Sequence, residues 1–133
     1  MQKKLSYLHP ALYVAGAKER GRGVFTTEAL PAGTLIERAP VLVLNAAARV
    51  LLDQTLLHDY IFEWGEGSTQ CAVALGYVSL YNHLYNSNCE YEMHFKRSLM
   101  TVRTVRAIAR GEELFINYNG DWNNEKCVWF DVM

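Results

Sequence analysis

Asn82-His83-Leu84-Tyr85-Asn86-Ser87-Asn88-Cys89 is a polar stretch set between apolar ones. Its asparagines favour turns, because a short amide can bond its own backbone and tolerate a left-handed conformation. Alone, the stretch is a loop, and what flanks it is β-type. Downstream, residues 89–95 and 99–105 alternate in polarity across Lys96-Arg97-Ser98, the pattern of two strands joined by a solvated turn. In the second strand Met100, Val102 and Thr104 share one face, and Thr101, Arg103 and Val105 the other. Further on, Glu113-Leu114-Phe115-Ile116-Asn117-Tyr118-Asn119-Gly120 is an apolar strand running into a turn.

Upstream the signals are equally short. Tyr13-Val14 is the first strand expected, and residues 22–27 form a β-favouring run introduced by Gly21 and Gly23. Ala29-Leu30-Pro31-Ala32-Gly33 is a turn signal, followed by a strand over 34–38. Val41-Leu42-Val43-Leu44 is a separate apolar run, expected to be buried on both faces. Asn45 is a good N-cap for a helix that begins at Ala46 and cannot run far past Leu57. Residues 60–64 and 71–75 complete the strands, with a turn at Gly65-Glu66-Gly67-Ser68 between them. Many short strands, one helix and no strand–helix alternation predict a mainly β fold.

The bulk properties bound the function. A chain of 133 residues, half of them hydrophobic, makes one domain over 1–133 and buries a core without disulfides or a metal. Thirteen basic against fourteen acidic residues give a net charge of −1, without the basic excess of a nucleic-acid binder. Cys71, Cys89 and Cys127 form no CxxC pair, so a zinc ribbon is unsupported and free thiols are expected. The start, from Lys3-Lys4 onward, is interrupted by Ser6, His9 and Pro10 and lacks the clean apolar run of a secretory signal. No stretch approaches the roughly 20 apolar residues of a membrane-spanning helix. These features lead to the expectation of a soluble, cytoplasmic protein with no nucleic-acid or membrane partner.

The usual hydrolytic and nucleotide motifs are missing: there is no GxSxG, Walker loop, HExxH or GxGxxG opening a helix. His9, His58, His83 and His94 are scattered without metal-ligand spacing. Glu112 and Glu113 are adjacent on a strand and point to opposite faces, a poor acid–base couple. Three segments remain: Gly21-Arg22-Gly23, where missing side chains let a ligand approach the backbone; the Asn82 stretch; and the strand ending at Tyr118. Tyr81, Tyr91, Phe115, Tyr118 and Trp129 are the candidates for an aromatic channel.

In that order the three segments resemble the SET-domain family of protein-lysine methyltransferases, over about 17–130. Gly21-Arg22-Gly23-Val24-Phe25 resembles the family's glycine-rich opening, and Leu30-Pro31-Ala32-Gly33 its following turn. Asn82-His83 with Asn88-Cys89 resembles the Asn-His-Ser-Cys-x-Pro-Asn-Cys block, and Glu112-Glu113-Leu114 through Tyr118 the Gly-Glu-Glu-Leu…Tyr block. The resemblance implies several small sheets and a knot-like passage that brings Asn82 to Tyr118. It implies S-adenosyl-L-methionine as cofactor, held by the backbone of Gly21, Arg22 and Gly23, by Asn82 and by the His83 backbone, with Tyr118 beside it. It implies that Tyr118 is the catalytic tyrosine, that Tyr91 lines the lysine channel, and that Trp129, or in its place Trp122, stacks on the adenine. The substrate implied is a lysine of a protein or peptide.

The departures from the pattern are specific. Tyr85 stands where many members have cysteine, and the three-cysteine tail that would share a zinc ion with it is missing, so no metal is expected. Ser87 stands where proline is usual, and Asn117 where aspartate is common. Residues 119–133 are therefore expected to close the channel by aromatic packing. A SET-like module that binds without turnover is the alternative, and a methyltransferase acting only on small molecules or non-histone proteins is a third. A homodimer also stays open, since pairing can complete a groove that a minimal domain leaves short.

Overall fold

Short strands cannot hold alone and must find partners far along the chain. The computed structural model describes residues 4–17 and 21–118 and pairs them in two sheets. In chain order the elements are β1 (Tyr7–Leu8), β2 (Leu12–Ala17), β3 (Gly21–Thr26), β4 (Leu35–Leu44), α1 (Ala46–Leu52), β5 (Phe62–Trp64), β6 (Gln70–Ala74), β7 (Asn82–His83), β8 (Cys89–His94), β9 (Leu99–Thr104) and β10 (Glu113–Ile116). Single 3-10 turns lie at Leu56–Asp59, Glu66–Ser68 and Val78–Leu80. The larger sheet runs β5-β6-β4-β9-β8, with β1 added along β4; the smaller runs β2-β3-β10-β7. The mainly β architecture expected from the sequence is what forms.

Between the sheets lies a core in which Val24, Ile36, Met100, Val102, Leu114 and Ile116 are fully buried. These come from β3, β4, β9 and β10, so the strands that carry the site are also those that hold the fold. The helix starts where expected: Asn45 caps it, its side chain accepting the Ala48 N–H at 2.9 Å. No helix among the described residues is long and apolar enough to cross a membrane.

Three expectations need correction. The first strand is Tyr7–Leu8, ahead of the one containing Tyr13-Val14; it is a two-residue addition to β4, too short to show a period. The separate strands expected at 34–38 and 41–44 are one strand, β4. Pro40 does not break it, because β4 pairs with β9 up to Pro40 and with β6 from Val41 onward, so the missing N–H falls at the changeover. Nor is the 41–44 run buried on both faces: Leu42 is 56 % exposed. The ladder with β9 has ended by then, and α1, which follows the run directly, buries none of its own residues.

Candidate active site

The decisive geometry is at β7. Asn82 and His83 are a two-residue strand, not a loop, and lie parallel to β10 with Phe115 opposite Asn82 and Ile116 opposite His83. On its other edge β10 pairs antiparallel with β3, Leu114 opposite Val24. The glycine-rich opening, the Asn-His block and the last strand before Tyr118 are thereby neighbours in one sheet.

Asn82 ties the first two together. Its amide nitrogen donates to the Arg22 carbonyl at 3.0 Å and to Glu113 Oε2 at 2.8 Å. Gly23 must be glycine for this: a Cβ there would lie 2.5 Å from Glu113 Oε2 and 2.9 Å from Asn82 Nδ2. His83 ties in the third. Its buried Nδ1 accepts the Tyr118 N–H at 3.0 Å, and its ring lies against Tyr118 with centroids 5.0 Å apart. An imidazole that accepts through Nδ1 carries no proton there, so it is held as a neutral acceptor. Asn88 fastens the β10 backbone: its side-chain carbonyl takes the Phe115 N–H at 2.7 Å, and its amide donates to the Glu113 carbonyl and to Glu112 Oε2.

A family model, the SET domain, matches residues 21–119. The chain belongs to the SET-domain family of protein-lysine methyltransferases. It is 32% identical over 129 residues to a Schizosaccharomyces pombe protein named histone-lysine N-methyltransferase, H3 lysine-37 specific, covering 96% of this chain and 82% of that one. Among solved structures it is similar to a Plasmodium falciparum protein described as a histone methyltransferase: TM-score 0.65, 25% identity, 86% of this chain and 98% of that one. It shares its fold with a segment of ctPRC2, solved in an autoinhibited conformation bound to S-adenosylmethionine: TM-score 0.70, 19% identity, 87% of this chain and 16% of that one.

SET methyltransferases use S-adenosylmethionine as methyl donor, and the residues here fit such a group. The β3 backbone lies bare at Gly23, where the Asn82 amide and the Glu113 carboxylate pack against it, so backbone and polar side-chain groups that could bind such a molecule sit side by side. The aromatic side chains gathered here are Tyr118 and Tyr91. The Tyr118 hydroxyl donates to the Tyr81 carbonyl at 2.8 Å, and the Tyr91 hydroxyl to the Tyr118 carbonyl at 3.3 Å. Tyr91 also meets Phe62 edge-on at 5.5 Å. Burial pushes the Tyr118 phenol up to about 12, with further upward contributions from Tyr60, Glu113 and Tyr91.

Some expected roles change. Tyr81, a candidate channel wall, is fully buried and sends its hydroxyl into the core, to Glu37 Oε1 at 2.9 Å; what it offers the site is its carbonyl. Glu112 and Glu113 do diverge, yet Glu113 belongs to the site as the partner of Asn82, a part that its neighbour in sequence concealed. Tyr60, beside Tyr118, carried no sequence signal beyond its aromatic character. The departures are accommodated locally. The Tyr85 ring stands edge-on to His83 at 4.5 Å, the Ser87 hydroxyl donates to the Cys89 carbonyl at 2.7 Å, and the buried Asn117 amide donates to the Tyr85 carbonyl at 3.0 Å. Cys71 and Cys89 are free and buried, and no cluster of metal ligands exists among the described residues. Trp122, Cys127 and Trp129, with the proposed closing segment, lie outside the described residues.

Proposed function

We propose that the Gly21-Arg22-Gly23 backbone, Asn82 and the His83 backbone hold S-adenosylmethionine, and that Tyr118 with Tyr91 receives the lysine of a protein substrate. The observation that carries this reading is the double tether of Tyr118. Its amide is bound by His83 and its hydroxyl by the Tyr81 carbonyl, the residues on either side of Asn82. The cofactor side and the lysine side are therefore one rigid junction, and catalysis by positioning needs that rigidity.

Bound, S-adenosylmethionine supplies a sulfonium methyl for in-line transfer to an amine. The remaining task belongs to the chain. A free lysine has a pKa near 10.4, so presenting the neutral amine at pH 7 costs about 4–5 kcal/mol. Burial between Tyr118 and Tyr91 lowers that cost, because an apolar wall disfavours the ammonium. Tyr118 itself does not act as a tyrosinate base. With its phenol at about 12 and its proton given to the Tyr81 carbonyl, it presents a neutral oxygen that accepts an amine N–H and orients the nitrogen. The Tyr81 carbonyl adds a weak C–H···O acceptor near the same point.

The Schizosaccharomyces pombe relative's name supports a histone lysine as the first substrate to try. The test is incubation of the protein with labelled S-adenosylmethionine and histone H3, or a lysine peptide array, with the label located by mass spectrometry. Methyl groups on lysine side chains are expected. Cofactor binding without label on any lysine would falsify the reading and leave a binding module.

A further inference from the structure

Behind the transfer site lies a polar cluster that the chemistry above does not use. Glu37 sits on β4 in the core, 2% exposed. A bulge puts it there: Leu35 opposes Arg103 and Glu37 opposes Val102, so two steps on β4 match one on β9, and Ile36 and Glu37 are both buried. Its Oε2 accepts the Tyr77 N–H at 2.7 Å and its Oε1 the Tyr81 hydroxyl at 2.9 Å. Gly76 makes room, at φ +89°, where a Cβ would lie 2.4 Å from Oε2. Among the described residues Glu37 takes part in no ion pair.

A buried carboxyl without a cation is a poor way to stabilise a core. Its two bonds do something else: they grip both ends of the segment 77–81. That segment ends at the carbonyl which receives the Tyr118 hydroxyl. We propose that Glu37 is a positioning residue for methyl transfer: by holding the Tyr77 N–H and the Tyr81 O–H it fixes the Tyr81 carbonyl, and through it the Tyr118 hydroxyl. The inference rests on the assignment of Tyr118 to the transfer step.

The anchor has its own pH signature. Burial pushes the Glu37 carboxyl up to about 7, opposed by the hydrogen bonds from Tyr77 and Tyr81. The titratable groups around the pair are the Tyr77 and Tyr81 phenols and the Cys89 thiol; Leu8 on β1 and Val102 on β9, opposite Glu37, bring no charge. Ionised, the carboxylate accepts both donors; neutral, it gives one acceptor position to its own proton. The grip is thus tightest above neutral pH.

The experiment measures kcat at saturating cofactor and protein substrate, from about pH 6 to about pH 9, for wild type, Glu37→Gln, Tyr81→Phe and Tyr118→Phe. Cofactor affinity and thermal melting are followed in parallel. Glu37→Gln is expected to lower kcat about 10-fold at alkaline pH, as a small misplacement of a reacting group does. Its deficit should shrink toward pH 6 while cofactor affinity stays unchanged. Tyr81→Phe should match it at alkaline pH, and carries the test alone if Glu37→Gln does not fold. Wild-type kcat in the folded variants, or a deficit that does not vary with pH in Glu37→Gln, overturns the positioning role. If Tyr118→Phe is inactive in the same assay, only that role falls. If Tyr118→Phe is fully active, the assignment of the site falls with it.

Discussion

Two regions of this SET domain are built on opposite terms. At the junction of β3, β7 and β10, the side chains of the Asn-His block are bound by partners from distant segments, Asn82 by Arg22 and Glu113, and His83 by Tyr118. In the segment from α1 through the 3-10 turn at Leu56–Asp59, no residue is buried, and Val50, Leu51 and Leu56 are exposed. Arg49 is the segment's main tie, donating to the Ser68 and Gln70 carbonyls and pairing with Glu63 at 3.2 Å and Asp53 at 3.8 Å. The contrast separates what must be fixed from what need not be. Methyl transfer asks for rigid alignment of two half-sites, while an exposed arm can change its side chains without disturbing the core.

The comparison breaks most severely at Asn88. Asn88→Ala strips the Phe115 N–H and the Glu113 carbonyl of β10 of their side-chain partner, and should cost about 2–5 kcal/mol in denaturant unfolding. A loss under about 0.5 kcal/mol would mean that the junction is not the over-determined region it is taken for.

Next in size is a pH effect. In the fold the Glu37 carboxyl stands at about 7 against 4.5 for a free glutamate side chain, so the folded state holds its proton more tightly than the unfolded chain does. Its contribution to stability is fully present below about pH 4.5 and is lost as the pH rises through about 7. The loss amounts to about 3 kcal/mol over that window. Unfolding free energies of Glu37→Gln should lack this decline, and a parallel decline in both proteins would assign it to other groups.

The smallest effect is expected in the exposed segment. Leu51→Ser or Leu56→Ser should shift unfolding by less than about 0.5 kcal/mol and leave kcat on a short lysine peptide unchanged. A large destabilisation would show that the arm is part of the core.

How far the sequence carries follows from where each signal is stored. The glycine-rich opening, Asn82-His83 and Tyr118 are legible because their residue types and order are constrained together. The β8–β9 hairpin is legible because its alternation is local. Glu37 is not, since its inward turn depends on a bulge, a register event defined only against β9. The strand at Tyr7–Leu8 escapes because two exposed residues have no period. β4 reads as two strands because Pro40 ordinarily ends one, and only the change of partner from β9 to β6 makes it harmless. Glu113 hides for a related reason. Judged beside Glu112 it is half of a poor acid pair, yet its partner Asn82 lies 31 residues away.

The central claim is that cofactor grip and lysine orientation are separate tasks on one junction. Calorimetry with S-adenosylmethionine, paired with kcat on a lysine substrate, tests it in Asn82→Ala and Tyr118→Phe. Asn82→Ala should weaken cofactor binding by about 10-fold or more, because Arg22 and Glu113 lose their common donor. Tyr118→Phe should bind the cofactor as wild type does and lose about 100-fold in kcat. Wild-type turnover by Tyr118→Phe, with the cofactor bound, would contradict the account.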